Sequence, residues 1–87
     1  MSIVEKVESL LQALEPTVLK IADDSHYHTE HAEGKSGAHL RLRIVSEQFN
    51  GLLPLARHRL IYQAVGDFSL VGIHALAITA LTPSEAA

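Results

Sequence analysis

The chain has 87 residues, is 47% hydrophobic, carries a net charge of −3 and contains neither Trp nor Cys. These figures suit one small domain over residues 1–87 with an aliphatic core. They exclude a disulfide framework, a thiolate zinc site, an iron–sulfur cluster held by this chain alone, and a dedicated nucleic-acid binder, which needs clustered cations.

The first element is helical. Ser2 and Glu5 have capping-box spacing, and Val4, Val7, Leu11 and Leu14 recur on one face as far as Pro16, which ends the helix. The acids within "MSIVEKVESLLQALEP" break any apolar run. Neither a signal peptide nor a membrane span is expected there, and the cytoplasm is the expected location. "TVLKIAD" then reads as a strand, with Leu19 and Ile21 on one face and Val18, Lys20 and Ala22 on the other. The polar stretch from Ser25 to Gly37 reads as a loop longer than a hairpin needs.

"AHLRLRIVS" is the clearest strand. Leu40, Leu42 and Ile44 alternate with His39, Arg41 and Arg43, so one face is buried and the other is cationic and wet. Ser46 caps a short helical turn through Phe49, and Gly51 stops it. Pro54 opens a helix that runs to about Val65. "IHALAITAL" is the last strand, with His74, Leu76 and Ile78 expected on its core face and Ala75, Ala77 and Thr79 opposite. The order is α-β-β-α-α-β. Two strands form an antiparallel hairpin, and a helical crossover brings the third in parallel. The expected fold is α+β, a small mixed three-stranded sheet with helices on one face.

Chemistry-bearing residues fall into three groups. On the helix from Pro54, Arg57 lies within the apolar arc of Ala56, Leu60, Ile61, Ala64 and Val65. A guanidinium there needs acceptors, which makes it a structural clamp. Arg59 and Tyr62 point outward and His58 sits at the edge. The Gly-containing turn before "RHR" has the outline of a helix-turn-helix, and the open sheet face adds Lys20, Arg41 and Arg43. That suffices for weak, salt-sensitive DNA contact and falls short of sequence reading.

The histidines form the third group. His26, His28 and His31 crowd into "DDSHYHTEH", where H-x-H-x-x-H could hold a divalent transition metal or be plain polar loop. His74, on the expected core face at the start of the last strand, adds an anchored imidazole. One loop histidine with His74 would make half a metal site, completed by another molecule. His39 reads as surface. No Gly-rich phosphate loop, GxSxG elbow, HExxH or cysteine nucleophile is present, so no enzyme is expected.

"FNGLLPLARHRLIYQAV", Phe49 to Val65, resembles the signature of the BolA family: F-x-G, then R-H-R, an apolar residue and Tyr. "DDSHYH", "AHLRL", "IVSEQFNG", "IHALAI" and "TPSE" follow the family order, so the resemblance runs from about Val4 to Glu85. It implies a fold like the second type of KH domain without that domain's GxxG loop. It also implies a heterodimer with a monothiol glutaredoxin that bridges a [2Fe–2S] cluster, with glutaredoxin and glutathione giving sulfur ligands. The matched ligands here are His74 and the loop residue His28, with His26 and His31 as substitutes. Phe49, Gly51, Arg57 and Tyr62 fall on signature positions with structural roles.

Neutral imidazole in place of thiolate raises a cluster's reduction potential, as in Rieske centres. Imidazole must also be deprotonated to ligate, so cluster retention is expected to weaken as pH falls toward about 6.5. Bacterial members are linked to transcription, stress response and cell shape. That implies a second role, with Arg59, His58, Arg41 and Arg43 as partner or nucleic-acid contacts. Two departures stand out: the family's TPxEW has Ala86 in place of Trp, and "GDFSLVG" replaces an acidic helix end.

Overall fold

The computed structural model describes residues 1–25 and 37–87. Helix α1 (Ile3–Leu11) begins at the expected capping box: the Ser2 hydroxyl accepts from the Glu5 amide, and the Glu5 carboxylate accepts from the Ser2 amide. The α-helix stops earlier than Pro16. A 3₁₀ turn (Gln12–Leu14) tightens its end, and Glu15 takes a left-handed conformation, φ 51°, before the proline.

Strands β1 (Val18–Asp23) and β2 (Ala38–Val45) pair antiparallel, and β3 (Ile73–Leu81) lies parallel to β2 on its other side. The sheet order is therefore β1-β2-β3, a mixed three-stranded sheet in an α+β fold. Between β2 and β3 the chain makes a 3₁₀ turn (Glu47–Phe49), then α2 (Pro54–Val65) and the four-residue α3 (Phe68–Val71). A short α4 (Pro83–Ala86) follows β3, started by a Thr82–Glu85 capping box. Neither α3 nor α4 was expected from periodicity, because four residues are too few to show any.

Burial follows the alternation in β2. Leu40, Leu42 and Ile44 are buried with Val7, Leu11, Phe49, Ile61 and Val65 in one core under the helices, and Leu19, Ile21, Leu76 and Ile78 pack against it. Ser46 is fully buried at the end of β2. Its hydroxyl donates to the Leu14 carbonyl at 2.6 Å and accepts from the Gln48 amide at 3.0 Å, tying the end of α1 to the turn before α2. Among the described residues, no helix is long and apolar enough to cross a membrane.

Candidate functional site

The site lies where the chain returns from residues 26–36 and meets the start of β3. The β2–β3 register pairs Ala38 with Ile73 but His39 with Ala75, so β3 carries one extra residue, His74. A bulge of this kind bends a strand and re-aims the side chains beside it. Ile73 stays buried and Leu76 still packs on the core, while His74 and Ala75 are both exposed. This corrects the expectation that His74 shares the core face with Leu76 and Ile78. Period-two reading from Leu76 back through His74 fails because the bulge shifts the parity between them.

His74 consequently meets His39, which the sequence left as isolated surface. The two ring centroids are 5.0 Å apart, tilted by 42°. The two rings meet across the β2–β3 pair beside the bulge, and nothing in the local sequence signals that bulge. Gly37 and Gly72 build the floor beneath them. The Ala38 amide donates to the Gly72 carbonyl at 2.8 Å, and both glycines have positive φ, 118° and 106°. A Cβ on Gly37 would stand 2.9 Å from the His74 Cβ and 3.0 Å from its backbone nitrogen. Gly37, Ser69, Gly72, Ile73 and His74 line a shallow pocket here, closed on one side by α3. The Asp67 carboxylate accepts from the Ser69 amide and hydroxyl at the start of α3. Those bonds hold its pKa below the ordinary carboxylate value.

The other sequence-selected residues lie away from this pocket. Arg57 is buried against the core and meets every need of its charge. Its Nε donates to the Leu52 carbonyl at 2.8 Å, and Nη1 donates to the Ala80 carbonyl at 3.0 Å. The Glu85 carboxylate takes the rest of the fork, at 2.7 and 3.1 Å. This bidentate pair, with the α4 cap, holds the Glu85 pKa down at about 2 and raises that of Arg57. Phe49 is fully buried in the core, and Gly51 supplies a φ of 79° to the turn before α2. Arg59 and Tyr62 are exposed on α2, with Tyr62 edge-on to Phe68 at 5.6 Å, and His58 is half-buried. Arg41 and Arg43 lie on the open sheet face, where Arg41 is bonded to Asp24 at 2.9 and 3.3 Å. His26, His28 and His31 lie outside the described residues.

Two imidazoles, His74 exposed and His39 half-buried, are fewer donors than a metal centre takes, and the described residues hold no group of three potential ligands. The donor type nevertheless fits. The His74 ring is exposed and makes no hydrogen bond among the described residues, so an imidazole nitrogen is available to an iron of a cluster whose other ligands come from elsewhere.

A family profile described as BolA-like protein matches residues 10–85. SufE-like protein 1, chloroplastic/mitochondrial, of Arabidopsis thaliana is 42% identical over 84 residues, covering 90% of this chain and 23% of that protein. The protein named DNA-binding transcriptional regulator BolA of Vibrio cholerae is 39% identical over 83 residues, covering 95% and 74%. The solved BolA domain of SufE1 from Arabidopsis thaliana superposes with a TM-score of 0.80 at 38% identity, covering 98% of this chain and 96% of that one. The chain spans 54% of the length of mouse BolA-like protein 1 and less than a quarter of the plant SufE-like protein.

Proposed function

The chain belongs to the BolA-like family, and from that premise we propose that it is a non-enzymatic accessory protein that binds a monothiol glutaredoxin and helps to ligate a bridging [2Fe–2S] cluster. The observation that carries this reading is His74, exposed on its bulge, with its ring against His39. His74 would supply one imidazole, and His28 in the preceding segment the other. His39 would limit rotation of the His74 ring, while Gly37 and Gly72 hold the backbone beneath it. Glutaredoxin and its glutathione would supply the sulfur ligands that a chain without Cys cannot. The shared cluster would serve iron–sulfur trafficking or iron sensing.

The test mixes this protein with a monothiol glutaredoxin that holds its cluster and follows visible circular dichroism. A new cluster spectrum with wild type, lost in His74→Ala and reduced in His28→Ala, is the expected result. An unchanged spectrum with wild type would refute ligation in trans. A second reading, contact with DNA, is favoured by the printed name of the Vibrio relative. Arg57 would take no part in it, being committed to Glu85 and two carbonyls. It would rest on Arg59 and His58 of α2, or on Arg41 and Arg43 of the opposite sheet face, and its affinity should fall steeply with salt.

A further inference from the structure

The sheet face turned away from the helices has no layer upon it among the described residues, and its charge is uneven. The strand register arranges it in rows. Lys20 pairs with Arg43 and Arg43 with Thr79, so an ammonium, a guanidinium and a hydroxyl stand side by side across all three strands. The row spans about 10 Å, two inter-strand steps of about 4.8 Å. The next row is Ala22, Arg41 and Ala77, a cation between two small residues. Lys20, Arg41, Arg43 and Thr79 are all exposed, and with Ala22 they line an open groove of about 350 Å³.

Two features of this groove point outward. Like charges directly opposite on an antiparallel pair destabilise it, and Lys20 faces Arg43. Asp24 answers Arg41, but among the described residues neither the Lys20 nor the Arg43 side chain has a hydrogen bond or ion pair. In a chain of net charge −3, one sheet face thus gathers three cations, of which Arg41 is partnered by Asp24 while Lys20 and Arg43 face each other. A site that costs stability without a structural return marks a functional constraint.

We propose that this face docks an acidic, extended segment of a partner protein, whose carboxylates bridge Lys20, Arg43 and Thr79 and relieve the repulsion between the two cations. Nucleic acid is the poorer fit. Single-strand binders stack bases on aromatic side chains, whereas the rows here offer alanine and threonine. The described Phe and Tyr residues lie elsewhere: Phe49 in the core, Tyr62 and Phe68 on α2 and α3.

The experiment maps amide chemical shifts of the whole chain while titrating a short alternating Glu-Gly peptide, with single-stranded oligothymidylate as comparator. Shifts centred on Lys20, Arg41, Arg43 and Thr79 are expected with the peptide, weakening as salt rises. Lys20→Glu or Arg43→Glu should lower peptide affinity about tenfold, since reversal replaces an attraction with a repulsion. The same variants should melt at a higher temperature than wild type, because the cross-strand repulsion is gone. That pairing of higher stability with lost binding separates a docking role from a folding one. Peptide shifts located elsewhere, affinity indifferent to the reversals, or tighter binding of oligothymidylate to this face would each overturn the proposal.

Discussion

Replacing Gly37 by alanine tests how the His74 bulge is built. Two penalties combine at this position. The φ of 118° is a region that residues with a Cβ rarely occupy, costing about 1–3 kcal/mol. The new Cβ would also stand 2.9 Å from the His74 Cβ and 3.0 Å from its nitrogen. Those atoms belong to the strand itself and cannot swing aside, so overpacking adds about 1–3 kcal/mol. A loss of about 2–6 kcal/mol is large beside the roughly 4–13 kcal/mol expected for a domain of this size.

Gly51→Ala is the internal control. Its φ of 79° carries a similar conformational penalty, but no atom lies within 4 Å of the added Cβ. Urea unfolding of both variants should therefore show Gly37→Ala less stable by about 1–3 kcal/mol, the steric share. Ring resonances of His74 and His39 should move in Gly37→Ala and stay in place in Gly51→Ala. Equal losses with unmoved His74 resonances would refute the claim that Gly37 seats the bulge by close approach.

Ser46→Ala should cost about 1–3 kcal/mol in urea unfolding, since it leaves the Leu14 carbonyl and Gln48 amide without their partner at a fully buried position. Folding lowers the Glu85 pKa from 4.5 to about 2, so its pair with Arg57 stabilises fully above about pH 4.5. That contribution drains away as pH falls from 4.5 toward 2. Glu85→Gln should flatten this part of the acid-unfolding curve, and an unchanged curve would remove Glu85 from the account. His74→Ala, at an exposed position, should change stability by no more than about 0.5 kcal/mol while abolishing the cluster spectrum with glutaredoxin. A large loss of stability would instead make His74 a folding residue.

Much of the fold was legible because its signals are periodic or capped. Leu40, Leu42 and Ile44 alternate cleanly, the Ser2–Glu5 box marks α1, and Pro54 opens α2. The inward Arg57 was legible for the same reason, since a cation inside an apolar arc needs acceptors, and Leu52, Ala80 and Glu85 provide them. Glu85 itself was not identified, because its partner lies 28 residues away and no local rule connects them. The orientation of His74 was misread for a related reason. A bulge is a property of two strands in register, and neither "AHLRL" nor "IHALA" reveals it separately. The encounter of His39 with His74 and the row from Lys20 to Thr79 both depend on that register, so they emerge only with the sheet.

The parallel pairing of β2 with β3 also governs the order in which the molecule can fold. Ala38 meets Ile73 and Val45 meets Leu81, so each contact closes a loop of about 35 residues before any ladder bond forms. The β1–β2 hairpin and α1 can assemble first, since their contacts are nearer in sequence, but they then present Leu40, Leu42 and Ile44 without the cover of α2. During synthesis this half-built sheet waits, its β2 edge unpaired, until Leu81 has emerged. Arg57 is then the last bolt. Its fork joins Leu52, Ala80 and Glu85 only when β3 and α4 have arrived, so an unfolding protein should release α4 and the outer end of β3 before the hairpin gives way.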